Sequence, residues 1–208
     1  MHPDPAFRQT PATQNLAFAR RRGFGILSVN GPEGPLMAHV PFLLSPRGDF
    51  AEIHLARSNP VARAGLPLPA VIAVSGPDAY VSPDWYGPHE EVPDQVPTWN
   101  YIAVHLRGML EPLPPDTLRP HLDALSAEHE GRIAGKRPWT SAKTGPEAME
   151  RMMRMILPFR FRVSGVDGTW KLNQNKKAPI RARAAAALAR GDAGAQAIAA
   201  LMRALPEG

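Results

Sequence analysis

The stretch "VPTWNYIAVHLRGMLEPL" (residues 96–113) carries the clearest strand signal in the chain. From residue 101 onward its side chains alternate with the period of two that is typical of a β-strand. One face carries Ile102, Val104 and Leu106, and the other carries Tyr101, Ala103, His105 and Arg107. The alternation predicts a long strand whose apolar face lies on a core.

Further strands are predicted on both sides of this stretch. Segments 24–30, 35–44 and 49–56 are separated by the turn sequences "GPEG" and "SPRGD", which indicate two successive hairpins and therefore an antiparallel sheet. Two more strands are predicted at 69–76 and 79–86, and strand alternation returns at 158–172.

The remaining segments have helical patterns. From Pro114 the apolar period lengthens, and helices are predicted after residue 114 and over 145–157. Residues 176–208 are rich in alanine and are interrupted at Gly191 and Gly194, which favours two short helices. We expect one barrel domain over 1–175 with a helical excursion at 114–157, followed by a helical tail over 176–208. The predicted class is a mainly β protein, an antiparallel barrel with peripheral helices.

The amino-acid composition excludes several classes of protein and of functional site. The 208 residues are 44% hydrophobic and 21% charged, enough for a globular core, and no apolar run approaches the length of a membrane-spanning helix. We expect a cytoplasmic protein without membrane contact, because the N-terminus also lacks a signal-peptide pattern. The absence of cysteine excludes disulfides, thiolate metal sites and cysteine nucleophiles. A net charge of +5 either favours an anionic partner or serves solubility alone.

The segment "HLARSNP" (54–60) is a candidate anion site. A strand ends in a bend that gathers Arg57, Ser58 and Asn59, which together offer a guanidinium, a hydroxyl and backbone N–H groups to a phosphate. The alternative is an ordinary cap, in which a polar side chain bonds to the first N–H groups of the next helical turn.

Other functional patterns are weaker. The sequence contains no G-x-G-x-x-G, P-loop or G-x-S-x-G motif. His39, His54 and His105 lie in separate predicted strands without the spacing of a metal site, so no metal is expected. Residues 170–183 contain five cations, which either bind a nucleic-acid backbone or form the solvent-exposed start of a helix. No helix-turn-helix pattern is evident in the sequence. These cations are Lys171, Lys176, Lys177, Arg181 and Arg183.

Five segments together resemble the PaiB family, described as FMN-binding negative transcriptional regulators within the FMN-binding split-barrel superfamily. They are "MAHVPFLL" (37–44), "HLARSNP" (54–60), "GPDAYVSPDWY" (76–86), "VPTWNYIAVHLRG" (96–108) and "WKLNQNK" (170–176). The resemblance implies an antiparallel Greek-key barrel that forms a homodimer and binds FMN in a groove between the subunits.

The resemblance also implies a set of cofactor-binding residues. They are His39, Val40, Pro41 and Phe42 beside the ring and ribityl chain, and His54, Leu55, Arg57, Ser58 and Asn59 around the phosphate. Compared with the pyridoxamine-phosphate oxidases of the superfamily, Asn59-Pro60 replaces an Arg/Lys pair, which predicts a weaker hold on the phosphate.

Trp99 and Asn100 complete the candidate site. At the dimer groove, Trp99 would cover a flat ring or the partner's surface and Asn100 would satisfy a buried polar edge. The alternative is that Trp99 packs beneath the barrel while Asn100 holds the turn.

Three functions are compatible with these expectations. The first is repression of transcription, with DNA as a partner, and it has two alternatives. One is a flavin-dependent oxidoreductase acting on a small substrate, and the other is a haem-binding or cofactor-free barrel. Whether the protein is an enzyme therefore stays open.

Overall fold

The computed structural model describes residues 1–206 of the chain, which form seven strands and five α-helices along with short 3-10 turns. The strands are β1 (Phe24–Gly31), β2 (Gly34–Pro41), β3 (Leu43–Leu44), β4 (Phe50–Ala56), β5 (Leu68–Val81), β6 (Thr98–Pro112) and β7 (Ile156–Lys171). The helices are α1 (Ala12–Arg22), α2 (Leu118–Glu130), α3 (Pro146–Met153), α4 (Ala178–Leu188) and α5 (Ala193–Arg203). The prediction of a mainly β fold with helices is confirmed.

The strands form one sheet in the order β2-β1-β5-β6-β7-β4-β3. The recorded pairs are antiparallel, with Ile26 of β1 opposite both His39 of β2 and Ala73 of β5. The two ends of the strand order, β2 and β3, are separated along the chain by Phe42 alone. Because its N–H donates to Gly23 O at 2.9 Å, Phe42 is held beside β1 while the next two residues pair with β4. One continuous piece of chain therefore forms both edges, as a barrel requires.

The chain divides into two compact units, each with its own buried side chains. One unit contains residues 16–74 and 105–166, and the other contains residues 1–15, 75–104 and the described residues from Asp167 onward. In the first, the core includes Leu27, Val40, Phe42, Ile53, Leu55, Ile72, Leu106 and Phe161. In the second, it includes Phe7, Val81, Tyr86, Ile102, Trp170, Leu188, Ile198 and Met202.

The predicted elements agree with the structure except at two places, the strand predicted over 35–44, which divides at Phe42 into β2 and β3, and the chain around residue 77. The long strand, the helices after residue 114 and the two tail helices are confirmed. The prediction of separate strands at 69–76 and 79–86 is wrong, because β5 runs through Gly76 and Pro77 and is followed by a 3-10 turn at Pro83–Trp85. The recorded pairing of β5 with β1 ends at Ala73, so the missing N–H of Pro77 removes no bond to β1.

Within residues 1–206, no helix combines the length and the apolar composition needed to cross a lipid bilayer.

Candidate functional site

The structure brings the two strand segments of the predicted site together. Strand β2 lies next to β4 and to the 3-10 turn Val61–Arg63 that follows it. Along β2, His39 faces outward and Pro41 is half-buried, whereas Val40 belongs to the core, as does Phe42 just beyond the strand. The outward side chains can touch a ligand, and the enclosed ones fix the strand beneath it.

The outer face of this sheet region is largely apolar. We define it by residues that the strand register places on one side: Phe24, Ile26, Ser28, Met37, His39, Val71 and Ala73, of which Ser28 and His39 are the polar ones. Met37 is 61% exposed, and the rings of Phe24 and His39 stack with centroids 6.4 Å apart. A solvent-facing side of an antiparallel sheet is normally polar, so this outer face is suited to contact with an apolar surface.

The bend after β4 combines a cap with free hydrogen-bond donors. The Asn59 side chain accepts the Val61 N–H at 2.9 Å, so the capping alternative is realised at this residue. Arg57 is anchored through its Nε, which donates to Arg154 O at 2.5 Å. Among residues 1–206, the terminal nitrogens of Arg57 and both the N–H and the hydroxyl of Ser58 have no recorded acceptor or donor.

A second guanidinium reaches the same bend. The Nε of Arg63 donates to Arg57 O at 3.0 Å, and residues 56–63 contain no acidic side chain. Two exposed guanidinium groups beside the free hydroxyl of Ser58 form a donor set that fits a phosphate. The bend therefore suits the phosphate end of FMN.

His54 has a partner in the helical excursion. Its Nδ1 lies 3.1 Å from Nε2 of His121, a residue of α2 that is only 2% exposed. Burial, and secondarily the nearby His54, lowers the pKa of His121 to about 4, with Glu52 acting in the opposite direction. Burial also lowers the pKa of His54. At neutral pH both rings are therefore uncharged, and one hydrogen bond ties α2 to β4.

The three strand histidines do not come together as a set. His39 stacks on Phe24 and His54 bonds to His121. No group of three or more metal-ligating side chains occurs in the part of the chain that the structure describes.

Trp99 and Asn100 point in opposite directions. Trp99 is 54% exposed and meets Tyr80 edge-on, with ring centroids 6.3 Å apart and planes at 74°. The alternative in which Trp99 packs beneath the barrel is therefore wrong. Asn100 is enclosed, and its Nδ2 donates to Met202 Sδ at 3.4 Å, while its Oδ1 has no partner among the described residues.

The "KLNQNK" segment (171–176) holds the loop that precedes Trp99. Lys171 Nζ donates to Thr98 Oγ1 at 2.5 Å, and Lys176 donates to Gln95 while its Nζ lies 5.1 Å from the centre of the Tyr86 ring. Two segments of the resemblance, 96–108 and 170–176, are thus bonded to each other. They form a structural clip rather than two separate sites.

The same contacts account for most of the basic cluster. Besides Lys171 and Lys176, Arg183 pairs with Glu91 at 3.0 Å and Arg181 donates to Pro206 O. Four of the five cations therefore have partners inside the chain, and neither the nucleic-acid interpretation nor the solvated-helix interpretation describes them well.

Sequence reasoning missed Arg63, Arg154, His121 and Phe24 as neighbours of the candidate residues. Arg63 was within reach of prediction, because it follows the bend by one short helical turn. His121 was not, because 67 residues separate it from His54 and its sequence surroundings predict only a helix.

The chain is similar in sequence to known proteins. The family model described as "Putative FMN-binding domain" matches residues 1–165. The chain is 29% identical over 173 residues to the protease synthase and sporulation protein PAI 2 of Bacillus subtilis (strain 168), covering 82% of this chain and 80% of that protein.

Solved structures share the fold at lower identity. The FAD and haem binding protein from Mycobacterium smegmatis aligns with a TM-score of 0.56 at 19% identity, over 79% of this chain and 73% of that one. A conserved hypothetical protein from Mycobacterium tuberculosis aligns with a TM-score of 0.56 at 15% identity, over 82% and 90% of the two chains. The protein therefore belongs to the FMN-binding domain family that contains the PaiB proteins, within the FMN-binding split-barrel superfamily.

Proposed function

We propose that this protein binds FMN, with the phosphate held at the bend after β4 and the ring lying against β2. The observation that carries this is the meeting of β2 with a bend that offers Arg57, Ser58 and Arg63 and has no acidic side chain within residues 56–63. His39 and Pro41 would touch the ring and ribityl chain, while Val40, Phe42 and Leu55 support them from the core. His54 and Asn59 would shape the bend through the bonds described above. Bound FMN supplies electron-transfer chemistry.

The phosphate role of Arg57 can be tested with two ligands. Replacing Arg57 by methionine is expected to raise the Kd for FMN by about 10- to 100-fold, because a hydrogen bond to a charged group contributes about 1.5–3 kcal/mol. The Kd for riboflavin, which lacks the phosphate, should change little. Quenching of flavin fluorescence in a titration measures both constants.

The matched control is Arg137→Met, because Arg137 is exposed and has no recorded partner among residues 1–206. That variant should bind FMN like the parent. Equal losses for FMN and riboflavin in Arg57→Met would contradict the phosphate role of Arg57.

We also propose that the protein is a homodimer joined through the outer face. An exposed apolar sheet surface of this kind is typical of an interaction site, and a second copy would bury Met37 and Phe24. Trp99 belongs to the same proposal, since its exposed indole is free to cover the flat ring or the partner's surface. For enclosed Asn100 we propose the structural role, anchoring the start of β6 to Met202.

Met37→Glu is expected to weaken the dimer by at least tenfold, because a carboxylate would have to leave water without a partner. Sedimentation velocity over a concentration series measures the dissociation constant. Met152→Glu is the control, because Met152 is 53% exposed, lies on α3 beside residues of α2 such as Leu122, and is not one of the outer-face residues. A parent that is monomeric at high micromolar concentration would refute the dimer itself.

The resemblance to the PaiB family adds a cellular role to this proposal, which is negative regulation of transcription. We also propose that the protein is located in the cytoplasm. Because four of the five cations in 170–183 have partners inside the chain, we do not expect this segment to follow a DNA backbone. Titration of the flavin-loaded protein with duplex DNA at several salt concentrations tests direct repression. Binding that weakens steeply with salt supports it, and absence of any such binding contradicts it.

A further inference from the structure

Arg181 is a buried cation that lacks an anionic partner. It lies one turn into α4 and is only 8% exposed. Its Nη2 donates to Pro206 O at 2.6 Å, and no carboxylate forms an ion pair with it among residues 1–206. Burying an unpaired charge is strongly unfavourable, whereas a carbonyl oxygen supplies only part of the compensation that a guanidinium needs. The side chain is therefore placed where an anion would stabilise it.

A cavity of about 550 Å³ opens beside Arg181. Its polar lining includes Gln9, Thr10 and Gln174, its apolar lining includes Pro11 and Leu205, and none of the lining residues within 1–206 is acidic. Gln174 is already engaged, because its Oε1 accepts the Leu172 N–H at 2.7 Å. The side chain of Gln9 has no recorded partner among the described residues, so it can turn toward a ligand.

We propose that this cavity binds a small organic anion, with its carboxylate or phosphate group on Arg181. A guanidinium presents paired N–H groups that match the two oxygens of such a head group, which is the geometry of the strongest charge-assisted hydrogen bonds. The cavity volume lies within the range of small-molecule sites, and its apolar walls suit a short carbon skeleton. The site shares no residue with the bend at 57–60 and goes beyond the proposed flavin function.

Three probes test the site at constant ionic strength, with chloride as the replaced ion: succinate, inorganic phosphate and the cation choline. The melting temperature of the flavin-free full-length protein should rise by a few degrees and saturate at millimolar succinate or phosphate, but not with choline. Because inorganic phosphate can also bind at the bend after β4, the titrations are repeated in Arg57→Met, and the stronger of the two anions in that variant identifies the preferred head group. A parent that shows no saturable rise with either anion would overturn the proposal.

Arg181→Met should abolish the response to succinate, and in combination with Arg57→Met it should also abolish the response to phosphate. Without any probe, the single variant should be at least as stable as the parent, because it removes a buried charge that lacks its anion. A single variant that keeps the response to succinate, or one that loses stability in the absence of anions, would show that Arg181 serves the fold instead.

The controls use other arginines. Arg190→Met changes an exposed arginine just beyond the end of α4 and should keep the response, as should Arg57→Met. If Arg181→Met does not fold, Gln9→Ala at the exposed rim should weaken the anion affinity severalfold, and unchanged affinity would count against the site. Loss of FMN binding in Arg57→Met alongside an intact anion response would separate the two sites.

Discussion

Gly108→Ala is expected to destabilise the protein by about 3 kcal/mol or more, or to prevent soluble expression altogether. A Cβ built on Gly108 would lie 1.8 Å from the backbone oxygen of Arg162 and 3.0 Å from Cζ of Phe161. Arg162 cannot shift easily, because its strand is paired on the other side with Phe50 of β4. Overpacking against a fixed backbone commonly costs 1–3 kcal/mol and can cost more. Urea unfolding measures the loss.

Gly145→Ala is the matched control for this substitution. Gly145 precedes α3 with a φ of −58°, and a Cβ there would meet no atom within 4 Å. We expect its free energy of unfolding to stay within about 0.5 kcal/mol of the parent value. A Gly108→Ala protein as stable as the Gly145→Ala protein would mean that β6 and β7 lie farther apart at this point than the structure shows.

Acid is expected to remove about 3 kcal/mol of stability through His121 between pH 6.5 and pH 4. The folded protein holds the pKa of His121 at about 4, below its ordinary value of 6.5, mainly because the ring is buried. In this pH range His121 is protonated in the unfolded chain but not in the folded chain. The contribution of His121 to the free energy of unfolding is therefore complete above pH 6.5 and decreases as the pH falls. Each unit of pKa difference corresponds to about 1.36 kcal/mol.

The free energy of urea unfolding at pH 7, 6, 5 and 4 measures this loss. Several carboxylates also have a lowered pKa, among them Asp49 and Glu130, so the quantity to compare is the difference between parent and variant. His121→Leu should flatten the curve between pH 6.5 and 4, whereas His89→Gln, at an exposed position, should leave it unchanged. An NMR titration that placed His121 near pH 6.5 would show that its ring is not buried against His54.

Local patterns predicted the elements whose causes are local. The period of two in β6 and the break between the tail helices at Gly191 are properties of neighbouring residues, and both are confirmed, whereas Gly194 lies inside α5 and interrupts no helix. The prediction of two separate strands where the structure has β5 was wrong. The pair Gly76-Pro77 indicates a turn as long as the pairing partners of the strand are unknown. Whether a proline is tolerated depends on which side of the strand is paired, and the sequence does not show this.

The candidate site also contains some features that neighbouring residues determine and others that depend on distant parts of the chain. Arg57, Ser58 and Asn59 are adjacent in the chain, so their meeting at one bend was predictable. Asn59 caps the following turn, while Arg57 and Ser58 keep donors without a recorded partner among the described residues, and their phosphate role stays a prediction. The bond between His54 and His121 depends on how α2 folds back onto β4, which no pattern near either histidine reveals.

The clip between the "KLNQNK" segment and the loop before Trp99 has a consequence for biosynthesis. Thr98 bonds to Lys171, Gln95 to Lys176 and Asn100 to Met202, across 73, 81 and 102 residues of sequence. A nascent chain therefore leaves the residues on either side of Trp99 without these hydrogen bonds until the ribosome has made the C-terminal partners. Chaperones or proteases would meet this loop unbonded on any translation product that stops short of Lys171.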